Sequence, residues 1–270
     1  MNQLTIKDSF SLEGKTLHSG EVRKATFRPA PADFGIRFKR MDLEGQPEIP
    51  ALAEKVVDTT RGTVIGVGDV RVSTIEHAMA ALYASQVDNC LIEINGAEMP
   101  ILDGSALPYI ENLERVGFEE LEKEKDYYII KSKTKYKDEA TGSSIIIYPD
   151  DGFSVEVMVE YNSPVLPNQF AILDDLADFH KKVASARTFV FVREIEGLLQ
   201  HGLIKGGDLD NAIVIYDQPV SQEHIDAICD LVKVPHVQLK EMGYINPKPL
   251  KWDNEPARHK LMDLIGDLAL

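Results

Sequence analysis

A chain of 270 residues, 44% apolar and 27% charged, has the composition of one large or two medium globular domains, not of a disordered segment. Its formal net charge of −15 excludes a broad nucleic-acid or anionic-membrane footprint, because an acidic surface repels phosphate polymers, yet leaves room for a local basic pocket. Cys90 and Cys229 are the only cysteines, no basic and apolar leader opens the chain, and no apolar run nears the roughly 20 residues that span a bilayer, so the expectation is a cytoplasmic protein without a disulfide framework or transmembrane segment.

Residues 4–12, 22–28 and 35–40 carry the alternation or β-branched content of strands, punctuated by Pro29, Pro31 and the stretch 45–50. A helix is predicted from Ser73, with Ile75, Met79 and Leu82 at helical spacing. Residues 89–95 read as a buried strand, and a short helix over 107–115 closes the first half. The charge run 119–126 reads as a solvated connector between two domains, 1–120 and 127–270. Beyond it, strands are predicted at 127–136, 143–148 and 153–160, helices at 174–181 and 193–201, a strand at 212–216 and a helix at 222–232. Each half begins strand-rich and continues with helices, without a residue-level repeat. The class is α+β, with helices packed against largely antiparallel sheet.

The last helix runs through Asn254-Glu255-Pro256-Ala257-Arg258-His259-Lys260-Leu261-Met262-Asp263-Leu264-Ile265-Gly266-Asp267. Residues four apart stack on one face of a helix, so His259, Asp263 and Asp267 form a column. Leu261, Leu264, Ile265 and Leu268 form an opposite apolar face. A histidine and a carboxylate at i, i+4 can chelate one metal ion, and a catalytic zinc site usually takes a third protein ligand and keeps one position open. The best source of that ligand is Ser73-Thr74-Ile75-Glu76-His77. Glu76 and His77 fall off the Ile75/Met79/Leu82 stripe, and an adjacent Glu–His pair offers a general base beside a ligand. Two plainer readings stand beside this one. Ser73-x-x-Glu76 has the form of a capping box, and the His/Asp column has the form of a solvated helix face. His18, His180, His201, His224 and His236 are isolated in the sequence and read as structural or exposed.

Several segments occur together and in order. They are Gly14-Lys15-Thr16-Leu17-His18-Ser19-Gly20, Arg28-Pro29-Ala30-Pro31-Ala32, Ser73-Thr74-Ile75-Glu76-His77, Asp88-Asn89 and Asp103-Gly104-Ser105-Ala106. Ser185-Ala186-Arg187-Thr188-Phe189, then 206–212, then 258–267 complete the series. Over nearly its whole length the chain resembles the UDP-3-O-acyl-N-acetylglucosamine deacetylase family of lipid A biosynthesis. The resemblance implies zinc held by His77, His259 and Asp263, and two α+β domains of similar topology with helices sandwiched between two mostly antiparallel sheets. It implies hydrolysis of the acetamide on the glucosamine C2 nitrogen, with release of acetate. Glu76 would take a proton from water, and the Thr188 hydroxyl would serve the tetrahedral oxyanion. Lys260 and Phe189 would contact the nucleotide-sugar side of an acylated UDP-amino-sugar. A segment over 191–214, with Ile195, Ile204, Ala212 and Val214, would form the slot for its acyl chain. A monomer is the default expectation.

Val190 stands where the family pattern leads one to expect glycine, and the stretch 218–251 is longer than the usual connection, so its 222–232 helix reads as decoration. In the family a strand and a Gly-His-x-x-Asn motif follow the last helix, and that histidine is the proposed general acid, with Asp267 as its orienting partner. The sequence ends at Leu270, so the expectation is a C-terminally truncated chain from a longer polypeptide, such as the family's fusions to a hydroxyacyl-carrier-protein dehydratase. Such a chain would bind zinc but turn over slowly, because a general acid is commonly worth about 10²–10⁴-fold in rate. A metal amidohydrolase acting on another acylated amino sugar and a non-catalytic sugar-nucleotide-binding module are the competing readings.

Overall fold

The computed structural model describes residues 1–232, 235–238 and 241–270. Strands β1 (Asn2–Ile6), β2 (Phe10–Lys15), β3 (Val22–Pro29), β4 (Ile36–Arg40) and β5 (Glu48–Pro50) come first. A meander of β6 (Val56–Asp58), β7 (Val64–Val67) and β8 (Val70–Val72) leads into helix α1 (Glu76–Ala84), followed by β9 (Cys90–Ile94), α2 (Leu107–Val116) and β10 (Phe118–Glu124). Next come β11 (Thr134–Lys137), β12 (Ser144–Ile147), β13 (Val155–Val159), β14 (Gln169–Leu173), α3 (Phe179–Lys182), β15 (Phe189–Phe191) and α4 (Val192–Gln200). The chain closes with β16 (Ile213–Tyr216), α5 (Gln222–Val232), β17 (Gly243–Tyr244) and α6 (Glu255–Leu268). Among the described residues every strand pairing is antiparallel except β4–β9 and β15–β16, so the α+β class holds.

The main sheet has the order β2-β3-β9-β4-β5. Alternation puts Phe27, Phe38 and Ile92 on one face, and the register sets Ile92 opposite both phenylalanines. That face packs on a core shared with α1 and α6. α1 is alanine-rich, which favours helix and keeps its surface shallow. α6 lies between α1 on one side and the β13–β14 hairpin on the other. The two helices meet at Gly266, where a Cβ would fall 2.1 Å from the Glu76 carbonyl oxygen, so no larger residue allows this approach. The same core continues into Val155, Leu173 and Phe179, on the far side of the boundary expected at 120–127.

The structure departs from the sequence reading in several places. The strand expected at 4–12 is two, because the chain bends at 7–9 and sends β1 to pair with β10 and β2 with β3. Most of the charge run is no irregular connector: β10 covers it as an antiparallel partner of β1, with charges on both faces because it is largely exposed. Such charge suits an edge that must not recruit further strands. Only Thr134–Lys137 of the strand expected at 127–136 forms, and the helix expected at 174–181 is a 3-10 turn followed by α3. The opposed apolar face of the last helix is also redrawn. Leu261 and Ile265 are fully buried, but Leu268 is exposed and Leu264 borders a cavity, because α6 is covered on two sides rather than one. No helix among the described residues is long and apolar enough to cross a membrane.

A candidate metal centre at the head of an apolar cavity

Helix periodicity brings His259 and Asp263 to one face of α6, and the close α1–α6 crossing brings His77 to the same point. The His77 Nε2 lies 3.6 Å from Asp263 Oδ1, and the His259 Nε2 lies 3.4 Å from it. All three candidate ligand atoms fall within 4.8 Å of one another, and among the described residues they form the one cluster of this kind. The two imidazoles meet edge to face with centroids 5.1 Å apart. His259 Nδ1 sits 3.1 Å from the Ala186 carbonyl. Donation of Nδ1–H to that oxygen leaves Nε2 with a lone pair aimed into the cluster. Asp263 Oδ1 is buried and has no hydrogen-bond partner among the described residues. A buried, unpartnered carboxylate oxygen is costly unless something cationic meets it, so this donor set fits a metal ion.

Electrostatics agree with the geometry. Burial pushes the His77 imidazole down to about 3, with His259 adding to the effect, and burial also lowers His259. Burial thus favours the neutral form of both rings, the form that metal ligation requires. Burial alone would raise the Asp263 carboxyl, but His259, Lys260 and His77 outweigh it and hold it well below the usual range. Glu76, at the first position of α1, goes the other way. Burial, with Asp263 adding to it, pushes its carboxyl up to about 8, where it can take up a proton near neutrality. The capping-box reading of Ser73 and Glu76 fails. Ser73 Oγ donates to the Ala97 carbonyl, and the Glu76 carboxylate accepts from the Thr63 amide at 3.1 Å. The helix enters instead through Thr74, a β-branched residue held at φ 57 and buried, a strained conformation typical of functional sites.

The remaining expected residues converge on one cavity of about 510 Å³. Thr188 lines it, half-buried, and its amide donates to the Gly104 carbonyl at 2.8 Å. Lys260 Nζ donates to Asp263 Oδ2 at 3.0 Å and lies 5.7 Å from the Phe189 ring centroid. Phe189 also packs edge-on to His259, at 6.3 Å between centroids. Ile195, Ile204, Ala212 and Val214 line the apolar part, together with Val190. Asp267 lines it too, and its Oδ1 accepts from the Thr63 hydroxyl at 2.6 Å, so this carboxylate has a partner that the sequence reading did not supply.

Four features escaped the sequence. His18 is not isolated: it lines the cavity, and its Nε2 is buried with no partner among the described residues. Only its place in the Gly14–Gly20 segment marked it, since a lone histidine has no spacing signal. Thr63 was invisible for the same reason. Arg61, in the loop between β6 and β7, pairs with Glu194 of α4 at 3.0 Å beside the cavity. The helix read as decoration, α5, lines the cavity through Ile225, Ile228 and Cys229. Cys90 and Cys229 are both free and buried.

The sequence model of the UDP-3-O-acyl N-acetylglycosamine deacetylase family matches residues 3–232 and 235–270. A protein of Bacteroides thetaiotaomicron named bifunctional enzyme LpxC/FabZ is 60% identical over 270 residues, covering 100% of this chain and 59% of that protein. The protein of the same name from Porphyromonas gingivalis is 57% identical over 268 residues, covering 99% and 58%. A UDP-3-O-acyl-N-acetylglucosamine deacetylase of Anaeromyxobacter sp. is 40% identical over 272 residues, covering 100% and 80%. The chain thus spans about three fifths of the length of the bifunctional relatives. On this footing the chain belongs to the UDP-3-O-acyl N-acetylglycosamine deacetylase family.

Proposed function

We propose that the chain binds zinc through His77, His259 and Asp263 and hydrolyses the N-acetyl group of a UDP-3-O-acyl-N-acetylglucosamine, releasing acetate, in lipid A biosynthesis. The observation that carries the proposal is the unpartnered Asp263 Oδ1 facing two neutral imidazole nitrogens at 3.4 and 3.6 Å. Two ligand atoms about 2.0–2.1 Å from a tetrahedral ion lie roughly 3.3–3.4 Å apart, close to these spacings. A set of two imidazoles and one carboxylate suits zinc with an open fourth position. Bound zinc would supply Lewis acidity, making an amide carbonyl more electrophilic and a water more acidic.

The chain's own groups serve water activation, the developing oxyanion and the substrate contacts. Glu76 takes the proton of the attacking water at its carboxylate, its burial keeps that proton on the protein near neutral pH, and the proton passes to the departing amine nitrogen as the C–N bond breaks. The Thr188 hydroxyl donates to the carbonyl oxygen as charge develops there, with its backbone fixed through Gly104 and Ile213. Lys260, whose ammonium Asp263 holds firmly protonated, meets the anionic diphosphate side of the substrate. Phe189 packs beside the sugar, and the apolar part of the cavity takes the acyl chain. The two free, buried cysteines accord with a reducing cytoplasm.

Metal analysis separates this reading from a purely structural one. Wild-type chain equilibrated with zinc and desalted is expected to retain about one ion per chain, and His77→Ala and Asp263→Ala to retain far less. Equal metal in all three ends the zinc assignment. Acetate release from UDP-3-O-acyl-N-acetylglucosamine, lost in Glu76→Gln with metal retained, supports hydrolysis; substrate binding with no release from the wild type supports a binding module.

A further inference from the structure

We infer that helix α5 is a working wall of the acyl chamber, and that Ile228 and Cys229 on it set the longest acyl chain the protein accepts. This rests on the reading of the cavity as an acyl site. The metal cluster sits where α1 and α6 join the main core, and residues of α5 belong to a second apolar cluster that shares no member with that core. One continuous cavity borders both: Glu76, His77 and Asp263 line its polar part, and Ile225, Ile228 and Cys229 line its apolar part.

The sheet between them explains the arrangement. In β15 and β16 side chains alternate across the sheet. Phe191, Ile213 and Ile215 face a third cluster with Leu166, whereas Val190 and Val214 face the cavity side with α5. Ile225, Ile228 and Cys229 fall at i, i+3 and i+4, one stripe of the helix, with 2%, 6% and 5% exposure. A helix that merely decorated the surface would bury such a stripe on the main core. This one turns it toward the chamber, opposite Val190 and Val214. A chain of methylenes that runs along the apolar part of the chamber meets α5 at Ile228 and Cys229, which line it and are themselves buried. Each methylene that stays inside is worth about fourfold in affinity, and one that reaches the α5 wall gains nothing.

Calorimetric titration of the zinc-loaded chain with UDP-3-O-acyl-N-acetylglucosamines of ten-, twelve-, fourteen- and sixteen-carbon acyl chains tests this. Wild-type affinity should rise by about fourfold per methylene and then level off. In Cys229→Trp and Ile228→Trp the levelling should come at a shorter chain, with the sixteen-to-ten-carbon affinity ratio reduced at least tenfold. An unchanged ratio in folded variants overturns the role of α5 while leaving the acyl site intact. Affinity that does not depend on chain length in the wild type overturns the acyl site itself, and the inference with it. A second measurement needs no variant. N-Ethylmaleimide alkylation of Cys229, followed by mass spectrometry with the ligand-free protein as the reference, should be slowed at least fivefold more by saturating sixteen-carbon ligand than by saturating ten-carbon ligand. A Cys229 that is inert in the free protein, or equally reactive beside both ligands, overturns the assignment.

Discussion

Replacing Glu255 by Gln should unfasten the turn that borders the candidate metal cluster, although Glu255 is not part of that cluster. Glu255 has no exposed surface, and its partner Arg187 has a side chain only 5% exposed. The Glu255 carboxylate accepts from the Arg187 amide at 3.0 Å, from Arg187 Nε at 2.9 Å, from Arg187 Nη2 at 3.1 Å and from the Lys251 amide at 2.6 Å. Burial works to raise this carboxyl, but the bonds from Arg187 outweigh it and hold it below its ordinary range. Glutamine keeps the shape and removes the charge, leaving a buried guanidinium without its anion. Breaking such a pair costs about 3–5 kcal/mol. For a chain of this size each kcal/mol moves the melting temperature by roughly 2–4 °C, so a drop of about 6–20 °C is expected. Because the folded pKa is depressed, the carboxylate's stabilisation is full above the unfolded carboxyl pKa of about 4.3 and is lost as pH falls toward the folded value. The gap between the two proteins in urea unfolding should therefore be wide at neutral pH and narrower at about pH 3.5. Arg187 stands between Ala186, whose carbonyl faces His259, and Thr188, so zinc retention should fall as well. A loss under about 1 kcal/mol at pH 7, the range of an ordinary neutral hydrogen bond, would refute the reasoning.

Gly266→Ala should separate α6 from α1, since its Cβ would sit 2.1 Å from the Glu76 carbonyl oxygen; a cost of at least about 1–3 kcal/mol and reduced zinc retention are expected with every ligand unchanged. Gly197→Ala on α4, where nothing lies within 4 Å, is the control and should stabilise by up to about 1 kcal/mol. Thr63→Val removes the donor at 2.6 Å from Asp267 Oδ1 and should cost about 1 kcal/mol in urea unfolding, with recovery in Thr63→Ser; equal losses in Val and Ser would show that the methyl, not the hydroxyl, matters. Gly104→Ala meets both a left-handed backbone, φ 81, and the Asn211 carbonyl oxygen at 1.9 Å, so it should displace the Thr188 turn and lower acetate release more than zinc content.

The candidate ligands were legible to unequal degrees. His259 and Asp263 are one helical turn apart, and helix geometry alone puts them on one face. Glu76 and His77 were legible as chemistry but not as neighbours of α6, which lies 170 residues or more downstream. The capping box was misread because its pattern is local, while the hydrogen bonds of Ser73 and Glu76 go to Ala97 and Thr63 in other segments. β10 was misread because alternation reports a buried face, and this strand has none. The α5 stripe was legible as a helix over 222–232, with bounds that match, yet its periodicity names no partner.

The sequence by itself determined the α+β class, the shared face of His259 and Asp263 on the last helix, the Glu–His pair and the family resemblance, because backbone periodicity and motif wording are properties of short stretches. Only the tertiary structure decided which surfaces meet. The α1–α6 contact at Gly266 closes three residues into one cluster, in which an Asp263 oxygen has no donor among the described residues. The tertiary structure also places Ile225, Ile228 and Cys229 of α5 on the lining of the cavity. These outcomes depend on how whole elements share a core, and burial across such distances is a sum over many side chains that no local pattern records.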